Sequence, residues 1–119
     1  MSSQQAITKV LGYSLGKAGI DCYTKWFALE LANRYGDKIR MNAIAPGFFL
    51  TEQNRTLLTT PEGGYTERGN LVIKQTPMKR FGIPEELNGA LLWLLSEESK
   101  FVTGTIINID GGFSSSSGV

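Results

Sequence analysis

Two short apolar segments, residues 39–45 (IRMNAIA) and 105–109 (TIINI), constrain this chain more than any other feature. The first is closed by Pro46-Gly47 and the second, rich in β-branched residues, by Asp110-Gly111-Gly112, so both read as strands. Between them lies a helical pattern: Pro84 at a first-turn position, Glu85 and Glu86 complementing the helix dipole, and a stripe of Leu87, Leu91 and Leu94 running to about residue 95. Strands joined by a helical crossover are parallel. A two-stranded parallel sheet leaves two open edges and large apolar faces, so the expected fold is α/β and the sheet is expected to continue outside these two strands.

Residues 13–35 contain no proline, and Ile20, Tyr23, Phe27 and Leu31 recur at helical spacing, which predicts a long helix ended by Gly36 at the C′ position. A second line, Cys22, Trp26 and Leu29, falls on another side. Either the core-facing stripe is wide, or one face packs on the sheet and the other on a partner subunit. From residue 48 to 78 the residues are mixed and interrupted by Pro61, Gly63, Gly64, Gly69 and Pro77, leaving room for short helices near 52–58 and 66–73. Connections of this length serve as lids or binding loops. The tail FSSSSGV reads as coil.

Composition removes whole classes of chemistry. There is no histidine and one cysteine, Cys22, which excludes Ser/His/Asp and Cys/His mechanisms, His-ligated metals, Cys-rich zinc sites and an internal disulfide. Acid/base work falls to Tyr, Lys, Asp or Glu. A net charge of +1 gives no footprint for nucleic acid, no apolar run reaches the ~18 residues of a membrane span, and MSSQQAITKV is no export signal. The expected setting is cytoplasmic, with a small-molecule substrate and neither nucleic acid nor membrane as partner.

Tyr13 and Lys17 stand four apart near the start of the long helix and share one face. A phenol with an ordinary pKa near ~10 is a poor proton relay at neutral pH, and a neighbouring ammonium favours its phenolate form. The pair is therefore the candidate chemical centre.

Four blocks extend this pattern in order: Y13-S-L-G-K17-A-G-I, R40-M-N-A-I-A-P-G47-F-F-L-T51, R80-F-G-I-P-E-E86 and V102-T-G-T-I-I-N-I-D-G-G112. With them, from about residue 7 to its end, the chain resembles the C-terminal half of the short-chain dehydrogenase/reductase family. The resemblance implies part of a doubly wound, Rossmann-like parallel sheet and hydride transfer between NAD or NADP and a carbonyl or alcohol. It implies Tyr13 as the proton donor or acceptor, and Lys17 as the holder of the nicotinamide ribose. Pro46, Gly47 and Phe48 would line the nicotinamide, and Thr51 would reach the carboxamide or pyrophosphate. Residues 48–78 would form a substrate lid. Within the family, P-G-F-F-L-T-E-Q-N-R, T-P-M-K-R-F-G and the D-G-G-F-S-S-S-S-G-V ending look most like the mannonate oxidoreductases, also called fructuronate reductases. A sugar-acid carboxylate would then need a cation among Arg55, Arg68, Lys74, Lys79 and Arg80, and Gln53 and Asn54 would be available for hydroxyls.

The family's Gly-rich phosphate turn has no counterpart here, since neither Gly63-Gly64 nor Gly111-Gly112 has the required strand, turn and helix around it. The family's active-site serine would fall one place before Met1, and Ser2 and Ser3 are off its spacing. The expectation is a partial enzyme, with Met1 an internal methionine of a longer protein, inactive alone and completed by homo-oligomerisation or by a complementing N-terminal half. The competing reading is a non-catalytic interaction module with an idle Tyr/Lys pair.

Overall fold

The computed structural model describes Ser3 and residues 10–117. The chain forms α1 (Leu11–Tyr35), β1 (Ala43–Pro46), α2 (Arg55–Leu58), α3 (Glu67–Gln75), α4 (Asn88–Leu95) and β2 (Ile106–Ile109). Single 3₁₀ turns lie at Pro84–Leu87, Glu97–Ser99 and Phe113–Ser115. The strands pair in parallel, Ala43 N–H donating to Thr105 O and Gly47 N–H to Ile109 O, both at 2.9 Å. The α/β class and the parallel pairing are as expected from sequence. The described residues fall into two compact units, one within residues 1–45 and 89–108, the other within 46–88 and 109–119.

In the first unit α1 runs without interruption to Gly36, whose φ of 65° and N–H bond to Ala32 O at 2.9 Å close the helix. Its buried face differs from the expected stripe. Thr24 and Ala28 are buried and Phe27 and Leu31 half-buried, while Ile20, Tyr23, Trp26 and Leu29 are exposed. The reason is close approach: a side-chain carbon built on Gly104 would lie 3.4 Å from Ala28 Cβ. At that separation only small residues fit, and Thr24 returns its hydroxyl to Ile20 O at 2.9 Å. On α4, likewise, only Leu94 of the Leu87, Leu91 and Leu94 stripe is buried.

The first strand begins at Ala43, later than the apolar run, because residues 40–42 are held by side chains. Arg40 forks onto the end of α4, Nη2 donating to Leu94 O at 2.8 Å and Ser96 O at 3.4 Å, and Nη1 to Val102 O at 3.1 Å. Leu94 O is one of the carbonyls that the end of α4 leaves without a helical partner, and the positive charge suits the helix C-terminus. Asn42 donates from Nδ2 to Val102 O at 3.0 Å and accepts Thr105 N–H at 3.1 Å.

The second unit has a core of Leu58, Val72 and Phe81, packed by Phe48, Leu50 and Ile73. The Thr66 hydroxyl caps α3 by accepting Gly69 N–H at 3.1 Å and donates to Leu57 O at 2.7 Å. Tyr65 meets Phe81 edge to face at 5.4 Å. The tail, expected as coil, instead makes the 3₁₀ turn Phe113–Ser115. Asp110 accepts Gly112 N–H at 2.9 Å and Ser114 N–H at 3.0 Å, and also takes the Ser114 hydroxyl. Burial pushes the Asp110 carboxyl up, but these bonds outweigh it and hold the group below its ordinary value.

Arg40→Ala strips donors from the end of α4 and is expected to lower stability by about 1.5–3 kcal/mol, with Arg40→Lys restoring only part because it lacks the planar fork. Urea unfolding checks this; an unchanged midpoint in Arg40→Ala would remove the bracing role.

Candidate active site

Tyr13 is the third residue of α1, whose N-terminus has Val10 in the capping position, without a side-chain cap and with no acidic residue in the first turn. One turn on, the Lys17 ammonium lies over the Tyr13 ring, 5.4 Å from its centroid. The two side chains meet as their spacing requires. Tyr13 is 60% exposed, so its phenol is open to a reactant. Beside it, the Ser14 hydroxyl is buried and finds no hydrogen-bond partner among the described residues. Ser3 is half-buried in a turn, and Ser2 lies outside the described residues.

The loop residues Pro46, Gly47, Phe48 and Thr51 come together in the second unit. With Phe49, Asn54, Pro84 and Leu87 they line a pocket of about 280 Å³. Its walls are mainly flat rings and aliphatic carbons with a few polar groups, the make-up of a site for a small organic ring. Gly47 is fixed by packing: a Cβ there would fall 2.6 Å from both Cα and Cβ of Asp110. Phe48 meets Phe113 edge to face at 5.2 Å.

The far wall comes from the R-F-G-I-P-E-E block. Gly82 N–H donates to Phe48 O at 2.9 Å and Leu50 N–H to Gly82 O at 3.2 Å, forming a parallel bridge at Phe49 and Gly82. Arg80 grips Glu86 with both Nη atoms, one at 2.8 Å, and also donates to Phe81 O at 3.1 Å. Glu86 Oε2 accepts Ile83 N–H at 2.9 Å, which locks the turn that presents Pro84 and Leu87. The Arg80 guanidinium, with the Ile83 N–H, holds the Glu86 carboxyl down to about 2.

Three of the five candidate carboxylate partners are engaged elsewhere: Arg80 with Glu86, Arg55 with Glu52 at 3.2 Å, and Lys79 Nζ with Lys74 O at 2.6 Å. Asn54 turns both ends of its side chain onto its own loop. Phe49, Pro84 and Leu87 also line the pocket; Phe49 and Pro84 fall within the quoted blocks and Leu87 in the helical leucine stripe, but nothing in their spacing points at a pocket.

Because the Glu86 pKa is depressed in the folded protein, the Arg80–Glu86 contribution is fully present above the unfolded value of ~4.3 and is lost as pH falls towards about 2. Unfolding midpoints of wild type are expected to fall more steeply across that window than those of Glu86→Gln. Salt should shrink the difference, since the pair is solvent-exposed. Equal slopes would mean that the pair contributes nothing to stability.

Residues 1–114 match the family described as enoyl-(acyl carrier protein) reductase. The chain is 51% identical over 120 residues to the uncharacterized oxidoreductase UxuB of Bacillus subtilis (strain 168), covering 100% of this chain and 42% of that protein. It is 48% identical over 120 residues to an uncharacterized oxidoreductase of Haemophilus influenzae, covering 100% and 41%. Among solved structures it is similar to a provisionally named D-mannonate oxidoreductase from Haemophilus influenza with bound NAD, with a TM-score of 0.90, 47% identity and coverage of 100% and 42%. It is also similar to a gluconate 5-dehydrogenase from Burkholderia cenocepacia J2315 in complex with NADP and tartrate, with a TM-score of 0.84, 35% identity and coverage of 97% and 42%. The chain thus spans about two fifths of the length of the relatives it matches. Since the match takes in both the α1 pair and the pocket loop, the chain belongs to the short-chain dehydrogenase/reductase family and corresponds to its C-terminal half.

Proposed function

We propose that this chain is the proton-relay and nicotinamide-side half of an NAD(P)-dependent oxidoreductase acting on a sugar acid, of the fructuronate or mannonate kind. The observation that carries the reading is the Tyr13–Lys17 contact on one exposed helix face, in a chain whose relatives include NAD- and NADP-bound structures. The sugar-acid preference is supported by the similarity to the D-mannonate and gluconate enzymes. Bound NAD or NADP supplies or accepts the hydride.

In reduction, Tyr13 Oη gives its proton to the substrate oxygen as the carbonyl carbon is reduced; in oxidation it takes the hydroxyl proton. Lys17 holds the ribose hydroxyls of the cofactor and keeps a positive charge beside the phenol. The Pro46, Gly47, Phe48 and Thr51 pocket fits a nicotinamide: flat apolar walls for the ring and, at Thr51, a hydroxyl without a partner among the described residues for the carboxamide. That fit stops at the nicotinamide end, because no glycine-rich strand-to-helix turn is present in the chain to offer backbone N–H groups to a pyrophosphate. Residues 48–78 serve as the substrate lid. Arg68 and Lys74, whose charged ends are unpaired among the described residues, are its cations available to a carboxylate.

Turnover therefore needs a phosphate cradle from outside these residues, and the exposed Leu15, Tyr23, Trp26 and Leu29 of α1 support packing against an N-terminal half or a second copy. The setting proposed is cytoplasmic; no described helix is long and apolar enough to cross a membrane.

The test is turnover of fructuronate with NADH and NADPH by the chain alone and in a polypeptide that joins it to a Gly-rich βαβ half. The chain alone is expected to be inactive and the joined form active. Tyr13→Phe is expected to lower kcat by about 10²–10⁴-fold with NADH binding, followed by nicotinamide fluorescence, unchanged. Wild-type turnover by Tyr13→Phe would sink the mechanism and favour the idle-pair interaction module.

A further inference from the structure

We infer that Asn54 is a positioning residue that sets the cofactor-side loop of residues 49–51; this rests on the proposed role of Thr51 at the nicotinamide. The Asn54 side chain spends both ends on that loop. Nδ2 donates to Phe49 O at 2.7 Å, and Oδ1 accepts Thr51 N–H at 2.9 Å. The main chain closes the same turn, with Asn54 N–H and Arg55 N–H both donating to Thr51 O, at 3.2 and 3.0 Å. Leu50, between the two clamped peptides, donates its N–H to Gly82 O at 3.2 Å. Every residue of the 49–51 stretch is thus tied through its backbone.

The side chains to be positioned are not tied in this way. Thr51 is exposed, and its hydroxyl has no partner among the described residues, so its place at the pocket is inherited from the peptide that Asn54 holds. Asn54 is half-buried and lines the same pocket. It suits this work because an amide is at once donor and acceptor across a span of one side chain. Aspartate retains the acceptor for Thr51 N–H but sets an oxygen against the Phe49 carbonyl; alanine retains neither bond. Asn54 needs no contact with the reacting atoms, and its effect falls on cofactor affinity rather than on proton transfer.

The experiment compares wild type, Asn54→Ala and Asn54→Asp, with Tyr13→Phe alongside, in the joined polypeptide described above. Three readouts are taken: amide hydrogen exchange at Thr51, titration with NADH and NADPH by nicotinamide fluorescence, and the division of any kinetic effect between cofactor KM and kcat. For Asn54→Ala, Thr51 exchange is expected to speed up about tenfold, and cofactor Kd and KM to rise about tenfold while kcat moves less than about threefold. Asn54→Asp is expected to fall between wild type and alanine, and it supplies the comparison if the alanine variant misfolds. Unchanged Thr51 exchange in both variants overturns the clamp, and faster exchange with unchanged cofactor affinity overturns its positioning role. A wild-type polypeptide that binds neither NADH nor NADPH overturns the inference together with the functional reading. An active Tyr13→Phe with a weakened Asn54→Ala overturns only the mechanism assigned to Tyr13.

Discussion

The second unit depends on one backbone exchange, the bridge in which Gly82 gives its N–H to Phe48 O and takes that of Leu50. It brings the loop after β1 against the segment before α4, and both walls of the pocket follow from it. The bridge excludes any side chain at residue 82, where a Cβ would lie 2.5 Å from the Phe49 ring. Phe81 on one side of Gly82 anchors in the Leu58 and Val72 core, and Ile83 on the other hands its N–H to Glu86. A single glycine thereby joins the core, the pocket wall and the Arg80–Glu86 lock. Loss of any one of them would be felt at the others, because bonds sharing a segment do not contribute independently.

Much of this was legible in the sequence, in proportion to how local the physics is. The long helix, Gly36 as its stop and the two parallel strands follow from periodicity, capping and connection rules and are present, while the crossover helix read from Pro84 opens as the 3₁₀ turn Pro84–Leu87 and becomes α-helical at Asn88. The face of α1 was not legible, since hydrophobic spacing marks large residues whereas the packed face is built from Thr24 and Ala28. The start of β1 was missed for a related reason. Arg40 and Asn42 look like strand residues by position, yet their side chains hold carbonyls some sixty residues away, which no local pattern encodes. The turn in the tail is not legible because serine runs favour none of the regular structures, and the Asp110 carboxylate that organises it acts from outside the run.

The same distinction runs through the candidate site. Tyr13 and Lys17 were legible because their meeting is a property of helix spacing alone. Of the pocket residues, Pro46, Gly47, Phe48 and Thr51 stand out singly in the sequence and Phe49, Pro84 and Leu87 do not, because what brings them together is the Gly82 bridge and the Asn54 clamp, contacts between segments of irregular backbone. By residue type Asn54 is available for substrate hydroxyls and Arg80 is one of five cations available for a carboxylate. In the fold both have become scaffolding, Asn54 for the loop and Arg80 for the turn.

The candidate residues of the two units, each taken by itself, are consequently held to different standards of order. The pocket loop is fixed by backbone hydrogen bonds on every residue from Phe49 to Thr51, each hard to break without leaving a polar group unpaired. Tyr13 is held by an exposed cation–π contact, worth about 0.5–1 kcal/mol at such sites, on a helix turn without a cap. A proton relay has to be kept within about half an ångström of its productive position to be effective. The contact with Lys17 is too weak to do that alone. If Tyr13 is the relay proposed above, its order has to come from elsewhere, and association through the exposed apolar residues of the same helix would then set the activity of the relay as well as the stability of the chain.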